Sequence, residues 1–267
     1  MKSRFDKPEW HAAVAGLLQC DDSASTCRAL VKVLDVAVSN GGTCLIAFHQ
    51  DAPPDVLHHS MEQAAAQHYL DRYLAGPYLL DPLFHLAMRT KRTAVCRFRD
   101  AAPDRFRSSE YYRQYYERTH LRDEMDFLLR VADGSTLVFV VGRRQKRFSK
   151  SEVDRLRLIE QVVYAAMQNI WQRSDGNRRN KRELNRNLSL HRRLRRCFDN
   201  FGESVLTKRE RQITQLLLRG HSAKSVAREL RIAPGTVVVH KRNLFAKLGI
   251  TSQHELFSLF IKDLSRT

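Results

Sequence analysis

Residues 206–262, LTKRERQITQLLLRGHSAKSVARELRIAPGTVVVHKRNLFAKLGITSQHELFSLFIK, carry the densest set of local start and stop signals in the chain. Thr207 followed three residues later by Glu210 is a capping box, which starts a helix bearing Ile213, Leu216 and Leu217 on one face. Gly220 ends that helix in a left-handed conformation. Ser222 caps a second helix whose Val226, Ala227 and Leu230 point inward. Pro234 stands at the first position of a third helix, where a missing N–H costs nothing, and Gly249 closes it after Leu248. Ser252 caps the last helix, with Leu256, Leu259 and Phe260 as its apolar face. Two short helices joined by a tight turn, the second of them basic, predict a helix-turn-helix whose second helix enters the major groove of DNA.

The residues that carry this pattern also carry a resemblance. Leu206-Thr207-Lys208-Arg209-Glu210-Arg211, Ser225-Val226-Ala227, Pro234-Gly235-Thr236-Val237, His240, Asn243 and Lys247-Leu248-Gly249 resemble the DNA-binding domain of LuxR-type bacterial transcription regulators. The resemblance covers roughly the last quarter of the chain. It implies an all-α four-helix domain over residues 204–267, double-stranded DNA as partner, a homodimer, and contact with RNA polymerase. It also implies that the two positions after the Thr-Val pair, and the one three further on, reach base edges. Here these are Val238, Val239 and Arg242. Arg242 can pair bidentately with guanine, while the valines can make only apolar contacts such as those with thymine methyls. Many relatives place Lys or Arg where Val238 stands. On the third helix Val237, Leu244 and Leu248 share the side expected to face the core. Lys224, Thr236, Lys241 and Lys247 are placed for phosphate oxygens, which set register without reading sequence.

The formal charge of +17 is unevenly distributed. Residues 172–267 hold 22 Lys+Arg against 8 Asp+Glu, a net of +14, and residues 1–171 hold 24 against 21, a net of +3. The excess therefore lies where a phosphate backbone would demand it. A length of 267 residues suggests two domains, and 43% hydrophobic content is enough to give each a core. No apolar run approaches a membrane span and MKSRFDKPEW lacks a signal-peptide core, so a cytoplasmic protein with no membrane partner is expected. Cys20, Cys27, Cys44, Cys96 and Cys197 share no ligand spacing and read as reduced thiols. His49, His58, His59, His68 and His85 follow no metal-ligand pattern. G-x-S-x-G, HExxH, P-loop and G-x-G-x-x-G motifs are all missing, so no catalytic residue, cofactor or metal is expected. A phosphorylated receiver domain is also excluded, because Asp21-Asp22 follows a helical run and no later apolar strand ends in Asp.

Upstream, PEWHAAVAGLLQC is amphipathic, and Asp22 or Ser23 can cap a helix carrying Leu30, Val33, Leu34 and Ala37. Thr43–Phe48 is strand-like and ends at Asp51-Ala52-Pro53-Pro54. A polar helix spans Glu62–Leu74, and Gly76-Pro77 ends it before another helix at Asp81-Pro82. Thr93–Phe98 is a second strand. Ser108 or Ser109 caps a helix bearing Tyr111, Tyr112, Tyr115 and Tyr116, with Tyr112, Tyr115 and Tyr116 near one face and Tyr111 in row with Tyr115. Met125–Val131, the Asp133-Gly134 turn and Thr136–Gly142 form the best hairpin signal. A long helix starts at Ser149 with Glu152 completing a capping box. Its Leu156, Ile159, Val163, Ala166 and Ile170 make a seam for the domain's own sheet or for a partner subunit, and the seam and the last helix are the apolar surfaces expected to serve a dimer. Nine Arg/Lys and one Glu between Arg178 and Arg196 mark a basic hinge, partly helical, with Leu184, Leu188 and His191 on one side and Leu194 and Phe198 further along.

This order predicts an α+β protein: an N-terminal α/β/α sandwich on an antiparallel sheet over residues 1–173, a basic linker over 174–203, and the all-α helix-turn-helix domain over 204–267. The N-terminal arrangement resembles GAF- and PAS-like sensor domains and the autoinducer-binding domain of LuxR-type proteins, by architecture alone. That resemblance implies a small organic ligand. Tyr69, Tyr73, Asp81, Phe84, Tyr111, Tyr112, Tyr115 and Tyr116 are the candidate contacts, with Asp81 serving an amine or amide donor or else capping the helix that starts at Pro82. In acyl-homoserine-lactone receptors an Asp-Pro pair lies between tryptophans. Asp81-Pro82 is present, and a one-residue shift brings Tyr69 and Tyr73 to the upstream places, but no Trp lies between Trp10 and Trp171. A ligand-controlled, dimeric, sequence-specific regulator is therefore expected. A lactone receptor and a ligand-independent regulator with a degenerate sensor are the alternatives.

Overall fold

The computed structural model describes residues 4–175, 181–264 and 266. The first part carries α1 (Pro8–Leu18), α2 (Ser23–Ala37), β1 (Gly42–Phe48), β2 (Asp55–His59), α3 (Gln63–Leu74) and α4 (Pro82–Arg89). β3 (Ala94–Arg97), α5 (Phe98–Ala101), α6 (Glu110–Gln114), β4 (Asp123–Arg130) and β5 (Thr136–Arg143) follow. The rest is helical: α7 (Lys150–Leu158), α8 (Glu160–Asp175), α9 (Lys181–Asn200), α10 (Lys208–Leu218), α11 (Ala223–Leu230), α12 (Pro234–Leu248) and α13 (Gln253–Leu264). The chain divides into two compact units. One comprises residues 1–67, 86–101 and 120–185, and the other residues 68–85, 102–119 and 186–267.

The first unit is built on a five-stranded antiparallel sheet of order β2-β1-β5-β4-β3. Alternation along the strands divides its side chains between two faces. Leu45 and Ala47 of β1, Met125 and Phe127 of β4, and Leu137, Phe139 and Val141 of β5 belong to one buried core with Leu30 and Leu34 of α2 and Val163, Met167 and Ile170 of α8. Each of the larger side chains among these, withdrawn from water, contributes roughly 1.5–3 kcal/mol. The register sets Cys44, Val140, Asp126 and Cys96 in one cross-strand row on the other face. Burial pushes the Cys44 thiol up to about 12 and the Cys27 thiol up to about 11. Both therefore stay protonated and unreactive at neutral pH.

Most expected elements stand where the residues place them. Asp22 caps α2 by accepting from the N–H groups of Ala24 and Ser25 at 2.8 and 2.9 Å. Gly134 takes φ +85° in the β4–β5 turn, a conformation that suits a residue without Cβ. Ser149 and Glu152 form a reciprocal capping box at the start of α7.

Four expectations need correction. β2 is an additional strand, unexpected because Asp55-Val56-Leu57-His58-His59 shows no apolar alternation. It lies at the sheet edge, half-buried along its whole length. The long helix from Ser149 breaks at Ile159, whose φ −97° and ψ 6° leave the helical region between α7 and α8. Its seam residues Leu156, Ile159, Val163, Ala166 and Ile170 all lie in the core of their own unit, and Leu256 and Phe260 of α13 are equally buried. Neither set is free to make a dimer surface. Finally, the tyrosine helix α6 has only five residues. Tyr115 adopts φ −126° and ψ −64° and ends it, so Tyr116 begins a separate 3-10 turn and the four tyrosines share no single face. In the basic stretch α9 is helical from Lys181 to Asn200, with His191, Leu194 and Phe198 buried. The run Ser174-Asp175-Gly176-Asn177 reads as a helix interruption, but Gly176, Asn177 and the Leu184 side chain lie outside the described residues.

Candidate nucleic-acid interface and ligand cluster

The second unit holds α10 to α13. Thr207 Oγ1 accepts from the Glu210 N–H at 3.3 Å, and Glu210 Oε2 in turn accepts from the Thr207 N–H at 2.8 Å. Gly220, at φ +95°, follows α10, and Ser222 Oγ caps α11 by accepting from the Ser225 N–H at 3.1 Å. α11 ends in a left-handed Arg231, φ +53°, whose cost of roughly 1–2 kcal/mol is offset by what the turn allows. The Ile232 N–H reaches back to the Ala227 carbonyl at 3.0 Å, and Arg209 Nη2 holds the Leu230 carbonyl at 3.0 Å. Pro234 opens α12 and Gly249, φ +66°, closes it.

This framework decides which side of α12 meets solvent. Val237 and Leu244 are fully buried and two turns apart, so they mark the inner face. Val238 and Val239 are 58% and 47% exposed, and Arg242 is exposed beside them. Two adjacent exposed valines offer a small apolar surface of the kind that can contact thymine methyls. Lys224 and Thr236 are exposed. Lys241 Nζ lies 5.1 Å from the Phe245 ring centroid. Lys247 turns elsewhere: its Nζ donates to Glu210 Oε2 at 2.7 Å. Burial pushes the Glu210 carboxyl up, but the hydrogen bonds from Lys247 and Thr207 outweigh it and hold the group below the usual carboxylate range.

The same unit gathers most of the candidate ligand contacts. Tyr73 Oη donates to Asp81 Oδ2 at 2.8 Å, and the Leu83 N–H donates to Asp81 Oδ1 at 2.8 Å. Asp81 is thus both a helix cap and the acceptor of a phenol. Desolvation raises the pKa of its carboxyl above the ordinary carboxylate value, opposed by hydrogen bonds from Leu83, Tyr73 and Tyr111. Tyr69 stacks on Tyr73 at 6.3 Å and Tyr111 on Tyr115 at 5.7 Å, while Phe84 packs edge-on to Tyr78 at 5.4 Å. Tyr112 and Tyr116 form a second stacked pair at 5.6 Å, linked to Tyr111 through the Phe106 ring, which lies 6.2 Å from the Tyr111 ring. Sequence reasoning missed Tyr78 and His191, both buried, joined by a 2.6 Å contact between Tyr78 Oη and His191 Nδ1. No sequence signal links residues 113 positions apart. Among the described residues no group of three or more His, Cys, Asp or Glu is placed to hold a metal ion. No described helix is long and apolar enough to cross a membrane.

A capped four-helix unit with an exposed, Arg-bearing face on its third helix defines a class, the helix-turn-helix DNA-binding transcriptional regulators. Residues 204–260 match the model of the bacterial regulatory proteins of the luxR family. The chain is 34% identical over 157 residues to a protein of Aeromonas salmonicida named as an HTH-type transcriptional regulator in the exeN 3'region, covering 58% of this chain and 80% of that one. It is 26% identical over 210 residues to the monoamine regulon transcriptional regulator of Klebsiella aerogenes, covering 77% of each. The LBD domain of VqsR from Pseudomonas aeruginosa superposes with a TM-score of 0.57 at 23% identity, over 62% of this chain and 99% of that one. The chain belongs to the luxR family and is a DNA-binding transcriptional regulator.

Proposed function

We propose that this regulator is a dimer that reads duplex DNA through Val238, Val239 and Arg242 and is controlled by a small amine- or amide-bearing molecule held at Asp81. The exposed outer face of α12 supports the first half of this reading. Lys224, Thr236 and Lys241 anchor phosphates. Lys247, committed to Glu210, acts mainly by fixing α12 against α10. Residues 1–173 form the sensor, 174–203 the linker and 204–267 the reader. The protein works in the cytoplasm by binding, without catalysis, and contacts RNA polymerase from its DNA site.

The Tyr73–Asp81–Tyr111 cluster supports the second half. A partly buried carboxylate ringed by phenols offers an ammonium or amide N–H a charge-assisted partner among aromatic walls. A relative is named for a monoamine regulon, which favours an amine over a lactone. Polar groups in such sites discriminate strongly, because a mismatched ligand leaves one of them unpaired. A thermal-shift screen of the full chain tests this directly. Short aromatic or aliphatic monoamines should raise the melting temperature, and Asp81→Asn should abolish the rise. Stabilisation by long acyl-homoserine lactones alone would replace this ligand with the lactone. Binding-site selection with duplex DNA tests the reader independently.

A further inference from the structure

Within the second unit, residues 104–110 lie against the DNA reader. The Arg105 N–H donates to the Gly220 carbonyl at 3.1 Å. Gly220 is closely covered: a Cβ there would stand 3.1 Å from Ser109 Cβ and 3.2 Å from Phe106 Cα. Buried Glu110 Oε1 lies 3.2 Å from His254 Nδ1, on the first turn of α13. Most telling is Asp104. Its Oδ1 accepts from the Ser222 N–H at 3.0 Å, and its Oδ2 accepts from the Ser222 hydroxyl. A carboxylate thus sits on the N-terminal end of α11.

That end has a second claimant. In a helix-turn-helix the first helix crosses the DNA backbone, and helix N-termini supply N–H donors to phosphates. The unsatisfied N–H groups and the helix dipole bind whichever anion reaches them. Lys224, exposed on the same first turn, adds positive charge for a phosphate. Carboxylate and phosphate cannot share the Ser222 donors, and their like charges repel.

We propose that Asp104 is a latch that occupies the phosphate position of α11 in the DNA-free protein and must let go when DNA binds. The proposal rests on the DNA-reading assignment made above. Hydrogen bonds from Ser222 hold the Asp104 carboxyl below the usual range against the opposing effect of burial, so the latch stays charged at neutral pH. Its position also links the two sites. Asp104 lies seven residues before Tyr111, which hydrogen-bonds Asp81, so a ligand that shifts Tyr111 acts on the strap that carries the latch.

A protein whose binding-competent form is a minor fraction binds more weakly by that fraction, and removing the latch restores the difference. The test uses the full chain and a fluorescein-labelled mixed-sequence 30-base-pair duplex, titrated by anisotropy at several salt concentrations. Asp104→Ala should bind about tenfold more tightly, with a salt slope close to that of the wild type, because both proteins make the same phosphate contacts once the latch is open. Asp104→Asn keeps the shape but loses the charge, and should shift in the same direction by less. Circular dichroism melting establishes that both variants are folded; should the alanine variant not fold, the asparagine variant carries the test. Unchanged or weaker binding by the folded variants overturns the latch and leaves the DNA reader standing. If neither the wild type nor the variants bind the duplex, the DNA assignment falls and the latch with it.

Discussion

At the scale of single residues, Arg242 and Lys247 look alike in the sequence and act differently in the fold. Arg242 points outward from α12, so Arg242→Ala should lose roughly 1–3 kcal/mol on a specific site and relax one base position. Selection of binding sites from a random pool checks this, and an unchanged preference would contradict the orientation of α12. Lys247 instead neutralises the buried Glu210, 37 residues away. Thr207 keeps its two hydrogen bonds to that carboxylate, so Lys247→Ala should lower stability by about 1 kcal/mol. Thermal denaturation reads the loss, while the specificity of the folded protein should stay that of the wild type. That both residues are basic and lie on the third helix of the helix-turn-helix domain was legible from the chain. That one of them is an internal counter-ion was not, because no local pattern ties position 247 to position 210.

At the scale of elements, capping chemistry was the most readable layer. Ser149 and Glu152 announce α7, and Arg143 of β5 joins them with a 2.9 Å ion pair to Glu152 Oε1. Burial pushes the Glu152 carboxyl up, but hydrogen bonds from Ser149 and Arg143 outweigh it and bring it down from 4.5 to about 2. A depressed carboxylate stabilises the fold above its unfolded value and loses that contribution as pH falls through its folded value. Glu152→Gln should therefore be less stable than wild type at pH 7 by about 1–2 kcal/mol, after allowance for its partial contact with solvent. Denaturant melts should show this gap closing between pH 4.5 and about 2. A gap independent of pH would mean that the glutamine substitution acts through packing alone. The break at Ile159 had no such signal: both flanking segments have helical spacing, and Ile159 itself is drawn into the core.

For the whole molecule, one reader domain spans too few base pairs to find a site in a genome, so two copies on half-sites about one helical turn apart are expected. The apolar seam of α7 and α8 is internal, which directs the search for a dimer surface elsewhere. Sedimentation of the protein on a palindromic duplex should give two subunits per site, and a single subunit at micromolar concentration with and without DNA would remove the dimer. Ligand control has its own signature. Because burial raises the Asp81 carboxyl, that group takes up its proton above the ordinary carboxylate range. The affinity of a monoamine measured by calorimetry should then weaken as the solution is acidified through that range, and Asp81→Asn should be weak and flat. A wild-type profile that is itself flat would place the amine away from Asp81.

The helices of the reader, the β4–β5 hairpin and the outward set Val238, Val239 and Arg242 were all determined by the sequence itself. Their causes act within about four residues, through a cap, a turn glycine, a fixed proline φ or the 3.6-residue repeat. The edge strand β2 escaped because an edge needs no apolar alternation, and Tyr116 left the helix because the backbone turns at Tyr115, although the i,i+4 rows Tyr111–Tyr115 and Tyr112–Tyr116 keep their contacts. The tertiary structure alone decided what lies beyond the reach of such rules: Tyr78 on His191 across 113 positions, and Asp104 on Ser222 across 118. Those contacts form because packing places two distant segments side by side, and no residue type on either segment specifies its partner.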